Sequence, residues 1–577
     1  MGVKPVSFDF NGKLTQHLQP GAYSDSKFID SNGGVASVNN GVILGDAVGG
    51  EPNQIYTFYS VGDAEQVLKR GYLLDAVRFA FNPGGGYKPQ RVKAMAINQK
   101  TRAAVALTDN EGNEIFKVLA RDFGVDGNAL KINIRSYTEE DGVKRVTVQK
   151  NDSVLLQSEF GKEIMTVQLA SSAAQESGTI DVKEDSLVVT VGDQSKTLEF
   201  SQYSIIGDIV EGLKAFGLEV TLLSPDFQLE DSSILEAESG LQMAKDSPLV
   251  LKSVTQDLIE ILDQSGIVIV EKLDGFKNTV KCGDSDNILA LSGGQNGPCT
   301  AVDFANALEL LEQEDIQFIT TPSTDLAVAL LLADHCERMS SRTGKGERQF
   351  LIGHEWGADI DSVVQLAMSV GSRYGALLSP GFVDYDPSDV DRKRTMNFHS
   401  GYYAAKEMGR LMAMSVPEPP TYKAISCLSL EKNYKEGEKD RLIQAGVWCA
   451  ELSKKGIIRN VRSVTMNKGS NLMECEFSVM RETLWMQRDL REAIDDSVVG
   501  HAGDEGITAT IMSVVLSKLS YYKNSAKTIR HYEEDSIVIT IDGDRYDVQW
   551  LGCPTLPVNF VMMKNNFMVY RSSGTIQ

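Results

Sequence analysis

The sequence predicts a multidomain protein of mixed α/β and α+β class. Three observations carry this. From residue 288 onward helical and extended spacings alternate, the rhythm of a parallel sheet with helices packed on it. Between 103 and 165 short alternating β runs are broken by turns, which reads as a small antiparallel sandwich. The length of 577 residues leaves room for roughly three to five domains.

Taken in order, Val6, Phe8 and Phe10 share one face of an extended segment, with Ser7 and Asp9 opposite. Asn11-Gly12 and Pro20-Gly21 then read as breaks. So short a strand cannot bury its apolar face alone. It is either an edge strand of the chain's own core or a strand given to a neighbouring subunit. Gly41–Gly45 has the signature of a buried strand, Asp63–Phe81 that of a helix with Val67, Leu74, Val77 and Phe81 on one stripe, and Val92–Ile97 returns as a strand. Lys131–Arg135 and Arg145–Val148 alternate cleanly within the sandwich, and residues 166–287 read as an acidic globular insertion.

The regular alternation then sets in. Helices are predicted at Ala301–Glu312, Asp325–Arg342, Asp361–Val370 and Met396–Met414, with strands at Ile316–Thr320, Gln349–Ile352 and Gly375–Leu378. The C-terminal part is α+β. Strand-like Ile457–Val464 and Met473–Val479 precede helices at Trp485–Ile494 and Thr508–Tyr522. Strands follow at Ser536–Ile541, Tyr546–Leu551 and Val558–Met563, and an extended apolar segment, Asn566–Arg571, closes the reading.

Composition narrows the function. The net charge is −22, and residues 101–300 carry 33 acidic against 17 basic side chains. A phosphate backbone is repelled by such a region, so direct nucleic-acid binding is not expected. The balance of 16 acidic and 15 basic residues in 451–577 suggests a part that touches other protein. The longest dense apolar stretch, Leu326–Ala333, is too short to span a bilayer, and the first residues lack a basic stretch followed by an apolar run. Neither membrane insertion nor a signal peptide is therefore expected. Seven scattered cysteines have no zinc-ligand spacing and read as reduced thiols.

No stretch announces catalysis. Ser292–Pro298 is glycine-rich but lacks the lysine and hydroxyl of a phosphate loop, and in Arg342–Glu347 a glycine follows the lysine where Ser or Thr is required. His354-Glu355 has no second histidine at helical spacing, and there is no Gly-x-Ser-x-Gly elbow. No catalytic, cofactor-binding or metal residue is assigned, although a triad assembled from distant residues is recognised by geometry and not by order.

Four stretches resemble one family, the tail sheath proteins of contractile phages, bacteriocins and related injection machines. They are Pro20-Gly-Ala-Tyr23, the block 41–68 with 73–81 and 92–98 behind it, Ala120–Leu130, and Leu291–Ser323. Residues 455–466 and 481–506 are similar to the family's C-terminal sheath domain. The resemblance implies an N-terminal arm (1–22), a small α/β domain (23–102), a β-sandwich (103–165) and an outer insertion (166–287). It further implies a subtilisin-like sheath domain without a protease triad (288–450), a tube-facing C-terminal domain (451–563) and a C-terminal arm (564–577).

The implied function is structural. Subunits form sixfold rings stacked around a tail tube, linked by exchanged β-strands, and contract to drive the tube through the host envelope. The implied partners are further copies, the tube protein, and baseplate and terminator proteins, with no cofactor. The implied place is a virion tail assembled in host cytoplasm. Val6, Phe8, Phe10, Phe567 and Val569 are the expected arm contacts. Two alternatives stand beside this. One is a hydrolase built on the parallel-sheet domain, which requires Ser, His and an acidic residue converging in a cleft. The other is a different self-assembling structural protein, such as a surface-layer subunit.

Overall fold

The computed structural model describes residues 6–10, 13–17, 40–109, 111–136, 144–277, 279, 282–285, 288–389, 391–503 and 506–568, with side chains described from residue 40 onward except at 136. Strands β1 (Val6–Phe10) and β2 (Lys13–His17) pair antiparallel, Phe10 opposite Lys13, in a two-stranded sheet of their own. β1 is thus not an edge strand of the main core. A short strand with one apolar face gains a partner most cheaply from the next few residues.

β3 (Gly41–Gly45), β4 (Ile55–Phe58), α1 (Val61–Leu68), α2 (Tyr72–Phe81) and β5 (Val92–Ala96) follow. The single helix expected over 63–81 is two. Gly71 breaks it at φ 119°, where an added Cβ would sit 3.0 Å from the Ala47 Cα and the Asp46 carbonyl oxygen.

Next come β6 (Ala104–Thr108), β7 (Glu114–Ala120), β8 (Leu130–Ser136), β9 (Lys144–Lys150) and β10 (Ser153–Phe160). The chain then makes β11 (Lys162–Leu169), β12 (Ser177–Val182), β13 (Ser186–Val191), β14 (Gln194–Glu199), α3 (Ile206–Ala215), β15 (Leu218–Leu222), β16 (Glu238–Ala244) and β17 (Leu249–Ser253). It returns through α4 (Thr255–Gln264), β18 (Val268–Lys272) and β19 (Leu289–Ala290). β18 pairs with β7 and β19 with β8, and Leu258, Leu262 and Val268 share one core with Phe116, Val118, Ile132 and Val148. The boundaries 103–165 and 166–287 are therefore corrected. The sandwich needs 254–291 to cover strands that a β6–β10 fragment leaves open. Residues 162–253 are the actual excursion, with a core of their own around Ile164, Leu187, Ile209 and Leu213.

The remainder holds α5 (Ala301–Leu310), β20 (Phe318–Thr320), α6 (Leu326–Met339), β21 (Gln349–Ile352), α7 (Ile360–Val370), β22 (Gly375–Ser379), β23 (Phe382–Tyr385), β24 (Thr395–Phe398), α8 (Ser400–Ala413), β25 (Ser429–Leu430), α9 (Glu436–Gln444), β26 (Val447–Leu452) and β27 (Ile458–Arg462). An eight-stranded sheet runs β27-β26-β22-β21-β20-β3-β5-β4. All neighbours are parallel except the two edge pairs, β26/β27 and β4/β5. Residues 41–96, part of the stretch 23–102 expected as a separate small domain, thus complete the sheet of 318–462, because β3 and β20 are buried along their length and need strands on each side. α2 and α8 cover one face, and α5, α6 and α7 the other. Gly409 lets α8 meet α2 closely, for a Cβ there would lie 1.9 Å from the Ala80 carbonyl oxygen.

The helix expected over 396–414 begins at Ser400. Thr395–Phe398 pairs instead with β23, and the His399 Nδ1 accepts from the Gly401 amide at 3.2 Å as the cap of α8. Last come α10 (Leu472–Cys475), α11 (Phe477–Ser497), α12 (Ile507–Tyr521), β28 (Ile529–Asp542) and β29 (Arg545–Pro554). Where a strand is expected, Met473–Val479 is helical on either side of Glu476, which alone is extended and bridges Val464, because Phe477, Met480 and Leu484 pack inward at helical spacing. Residues 558–563 pair with no strand among the described residues.

Candidate assembly surface

At the C-terminal ends of the parallel strands the His354 Nε2 lies 2.8 Å from the Ser379 Oγ, which lies 2.8 Å from the Tyr434 hydroxyl. No sequence spacing announced this pair. The third position of a hydrolytic triad is held by a main-chain group, since the His354 Nδ1 sits 2.8 Å from the Glu355 carbonyl oxygen. The nearby Glu431 carboxylate is occupied by the Gly357 and Gly381 amides. Ser379 is 0% exposed, so its hydroxyl is closed to a carbonyl substrate. Burial lowers the pKa of His354 and holds it neutral, fit to cross-link β21 and β22.

Beside it, a crevice of about 520 Å³ opens where the chain switches from one face of the sheet to the other, lined by Asp46, Cys299, Ser323, Glu355 and His399. Burial pushes His399 down to about 4, so it carries no charge at neutral pH. Ser292–Pro298 is a structural turn, with the Gly294 amide donating to the Asn128 Oδ1 at 2.9 Å, and the 342–347 loop ends in the Glu347–Arg491 ion pair.

The C-terminal region has a different character. α11 and α12 pack with β28 around Trp485, Ile511, Val515, Leu519, Tyr522 and Ile529. β28 and β29 form a long hairpin, Asp542 opposite Arg545 and Ile529 opposite Pro554, with the register shifting between Glu533 and Val538. Among the described residues no third strand pairs with either. Each strand thus presents an outer row of amides and carbonyls, an edge that a further strand can extend.

The segment after the hairpin is tied down at its start and free beyond. The Thr555 amide donates to the Thr528 carbonyl at 3.0 Å, the Asn559 Nδ2 to Glu476 Oε1 at 2.9 Å, and the Arg462 guanidinium lies 5.6 Å from the Phe560 ring. Past this clamp the side chains face solvent, Met562 and Phe567 each 94% exposed. An exposed apolar run of this kind marks an interaction segment.

Of the expected arm residues, Phe567 is exposed, while Val569 lies outside the described residues. Val6, Phe8 and Phe10 are placed by backbone alone, on β1. Among the described residues β1 and the C-terminal segment share no sheet. The hairpin is half-legible in the sequence, since strand patterns are expected at 536–541 and 546–551. Its extension back to Ile529 was hidden by the charged run Glu533-Glu-Asp535, which lies on the exposed bulge.

Under the clamp, Glu482 is 1% exposed, and burial pushes its pKa up to about 9. The Thr555 amide and the Arg481 charge pull the other way and do not win. The folded chain thus keeps a proton that the unfolded chain, at the ordinary value of 4.5, releases. Stability from this group is greatest below 4.5 and declines as pH rises toward 9. Glu482→Gln removes that decline, and the unfolding midpoint at pH 8 rises by roughly 2–4 °C per kcal/mol recovered. Thermal scans of both proteins at pH 5 and pH 8 check this. An equal pH response in the two overturns it.

No family model matches the sequence. The chain is 25% identical to the tail sheath protein of Bacillus phage SP01, over 98% of both chains. It is 22% identical to the tail sheath protein of Staphylococcus phage Twort, over 94% of this chain and 96% of that one. In fold it matches the sheath tail protein of Desulfitobacterium hafniense, with a TM-score of 0.56 and 12% identity over 93% of this chain and 97% of the other. It also matches that of Listeria innocua, with a TM-score of 0.54 and 12% identity over 90% and 96%.

Proposed function

We infer that this chain, homologous along nearly its whole length to phage tail sheath proteins, is the structural subunit of a contractile tail sheath. The observation that carries the reading is one conjunction in the C-terminal region. A long hairpin has no strand on either outer edge among the described residues, and an exposed apolar segment follows it directly. A subunit that both offers strand edges and presents a strand to give is built for β-augmentation between copies, where main-chain bonds supply affinity and alternate side chains supply register.

On this reading β1, with Val6, Phe8 and Phe10, and the segment around Phe567 and Val569 are the donated arms. The hairpin β28–β29 is the acceptor. The eight-stranded body, of subtilisin-like type, and the sandwich move as rigid parts between strand links that stay paired. Rings of subunits stack around a tail tube, with baseplate and terminator proteins at the ends, in a virion tail assembled in the host cytoplasm. The extended lattice stores free energy in its interfaces, so its contraction needs no nucleotide and no catalysis. The buried Ser379–His354 pair supports this non-enzymatic role, because it braces two strands and has no open approach.

Deleting residues 1–19 is expected to leave a soluble, folded subunit that forms no sheath. Negative-stain electron microscopy of the concentrated protein reads the result. Hollow striated tubes from the full chain and none from the truncation support the reading, whereas normal tubes from the truncation overturn strand donation by that arm.

A further inference from the structure

Thioether side chains are unevenly placed in this chain. Most of its methionines lie in the cores, Met95, Met408 and Met466 among them. The run after the C-terminal clamp is different. Met562 is 94%, Met563 80% and Met568 91% exposed, and no other methionine among the described residues exceeds the 57% of Met368. Three thioethers thus stand in solvent within one short run. From Thr555 to Met568 the only charged side chain is Lys564.

Methionine suits a segment that must adapt to its seat, because three rotatable bonds let the thioether fill irregular gaps. In a strand given to a neighbour, the period of two sets Met562 and Met568 on one face and Met563 with Phe567 on the other. Each face of such a strand carries a thioether, whichever face is turned to the neighbour's helices. With one charged side chain in the run, the affinity beyond main-chain bonds has to come from these apolar groups.

We propose that Met562, Met563 and Met568 form a modification site, oxidised by a peroxide, that controls strand donation. The proposal rests on the reading of the C-terminal segment as a donated arm. A sulfur lone pair attacks one oxygen of hydrogen peroxide, the O–O bond breaks, and an S–O bond forms. A proton passes from that oxygen to the departing hydroxide, so the thioether loses two electrons to become the sulfoxide and the peroxide leaves as water. The product is polar and chiral where the docked strand needs an apolar side chain. Each sulfoxide covered without a hydrogen-bond donor weakens association roughly tenfold or more.

The test treats the free full chain with hydrogen peroxide until peptide mass mapping shows sulfoxide at all three positions. The oxidant is then removed and the protein concentrated. The parent is compared with the triple variant Met562→Leu, Met563→Leu, Met568→Leu. The two chains differ only there, so oxidation at the exposed Met368, Met396 and Met473 acts equally on both. Negative-stain electron microscopy is expected to show tubes from both untreated chains and from the treated variant, and none from the treated parent at the same concentration. Methionine sulfoxide reductases for both epimers are expected to restore the parent's tubes. Normal tubes from a parent carrying all three sulfoxides overturn the proposal, and so does an equal loss in the treated variant. Should the variant form no tubes untreated, the reductases decide: tubes regained by the parent support the proposal, and none regained overturn it. If the untreated parent forms no tubes, the arm reading itself falls, and this proposal with it.

Discussion

Ending the chain after Phe560 is expected to leave the subunit's own stability nearly unchanged while abolishing assembly. Residues 561–568 face solvent almost entirely and add no side chain to any of the five cores. Removing such residues changes folding free energy by no more than about 0.5 kcal/mol. The clamp made by Thr555, Asn559 and Phe560 stays in place, so the fold of the C-terminal region is preserved. What disappears is the segment available to a neighbour's hairpin, and with it the main-chain bonds that set register between copies. Sedimentation velocity and electron microscopy on the same sample separate the two effects. Monomers with an unaltered unfolding midpoint are the expected result. Tubes of normal width from the shortened chain would remove the C-terminal segment from the assembly mechanism.

The largest loss of stability is expected from Arg410→Met. Arg410 and Glu407 are both fully buried on α8, paired at 2.9 Å. The same guanidinium donates to the carbonyls of Pro83 at 2.8 Å, Ala424 at 2.7 Å and Gly84 at 3.3 Å. Asn460 on β27 donates to the same Glu407 oxygen at 3.0 Å and in turn accepts from the Tyr403 hydroxyl. Methionine fills a similar volume but strands a buried carboxylate and three carbonyls. Breaking a buried pair on one side costs about 3–5 kcal/mol. Urea denaturation is expected to show a loss of that order. The double variant Arg410→Met with Glu407→Gln should recover part of it, because the isolated charge is then gone. A single variant as stable as the parent would show that water reaches the site and solvates Glu407.

The network also explains how distant stretches of chain come to share one sheet. Pro83 and Gly84 follow α2, Ala424 precedes β25, and Asn460 lies on β27, yet all converge on two α8 side chains. An ordering contact of such sequence separation is repaid only when every partner is satisfied together. The remaining Glu407 oxygen, which has no partner, keeps the pair sensitive to substitution.

The sequence by itself determined the local periodicities and the class they imply. Gly41–Gly45, Gln349–Ile352 and the helix at 360–370 were legible because each is bounded by turn residues or caps, with apolar spacing that fits one period. Charge asymmetry and the apolar character of the C-terminal segment were legible too, since both are properties of composition, whereas its exposure was not. The tertiary structure alone decided the partners. It decided that β3 pairs with β20 across more than two hundred residues, that β18 closes the sandwich against β7, and that 162–253 is the true excursion. It also brought Ser379 to His354. The physical reason is common to all of these. Periodicity records which face of an element is apolar, whereas pairing and buried charge depend on which other element covers that face, and nothing in a local pattern specifies it.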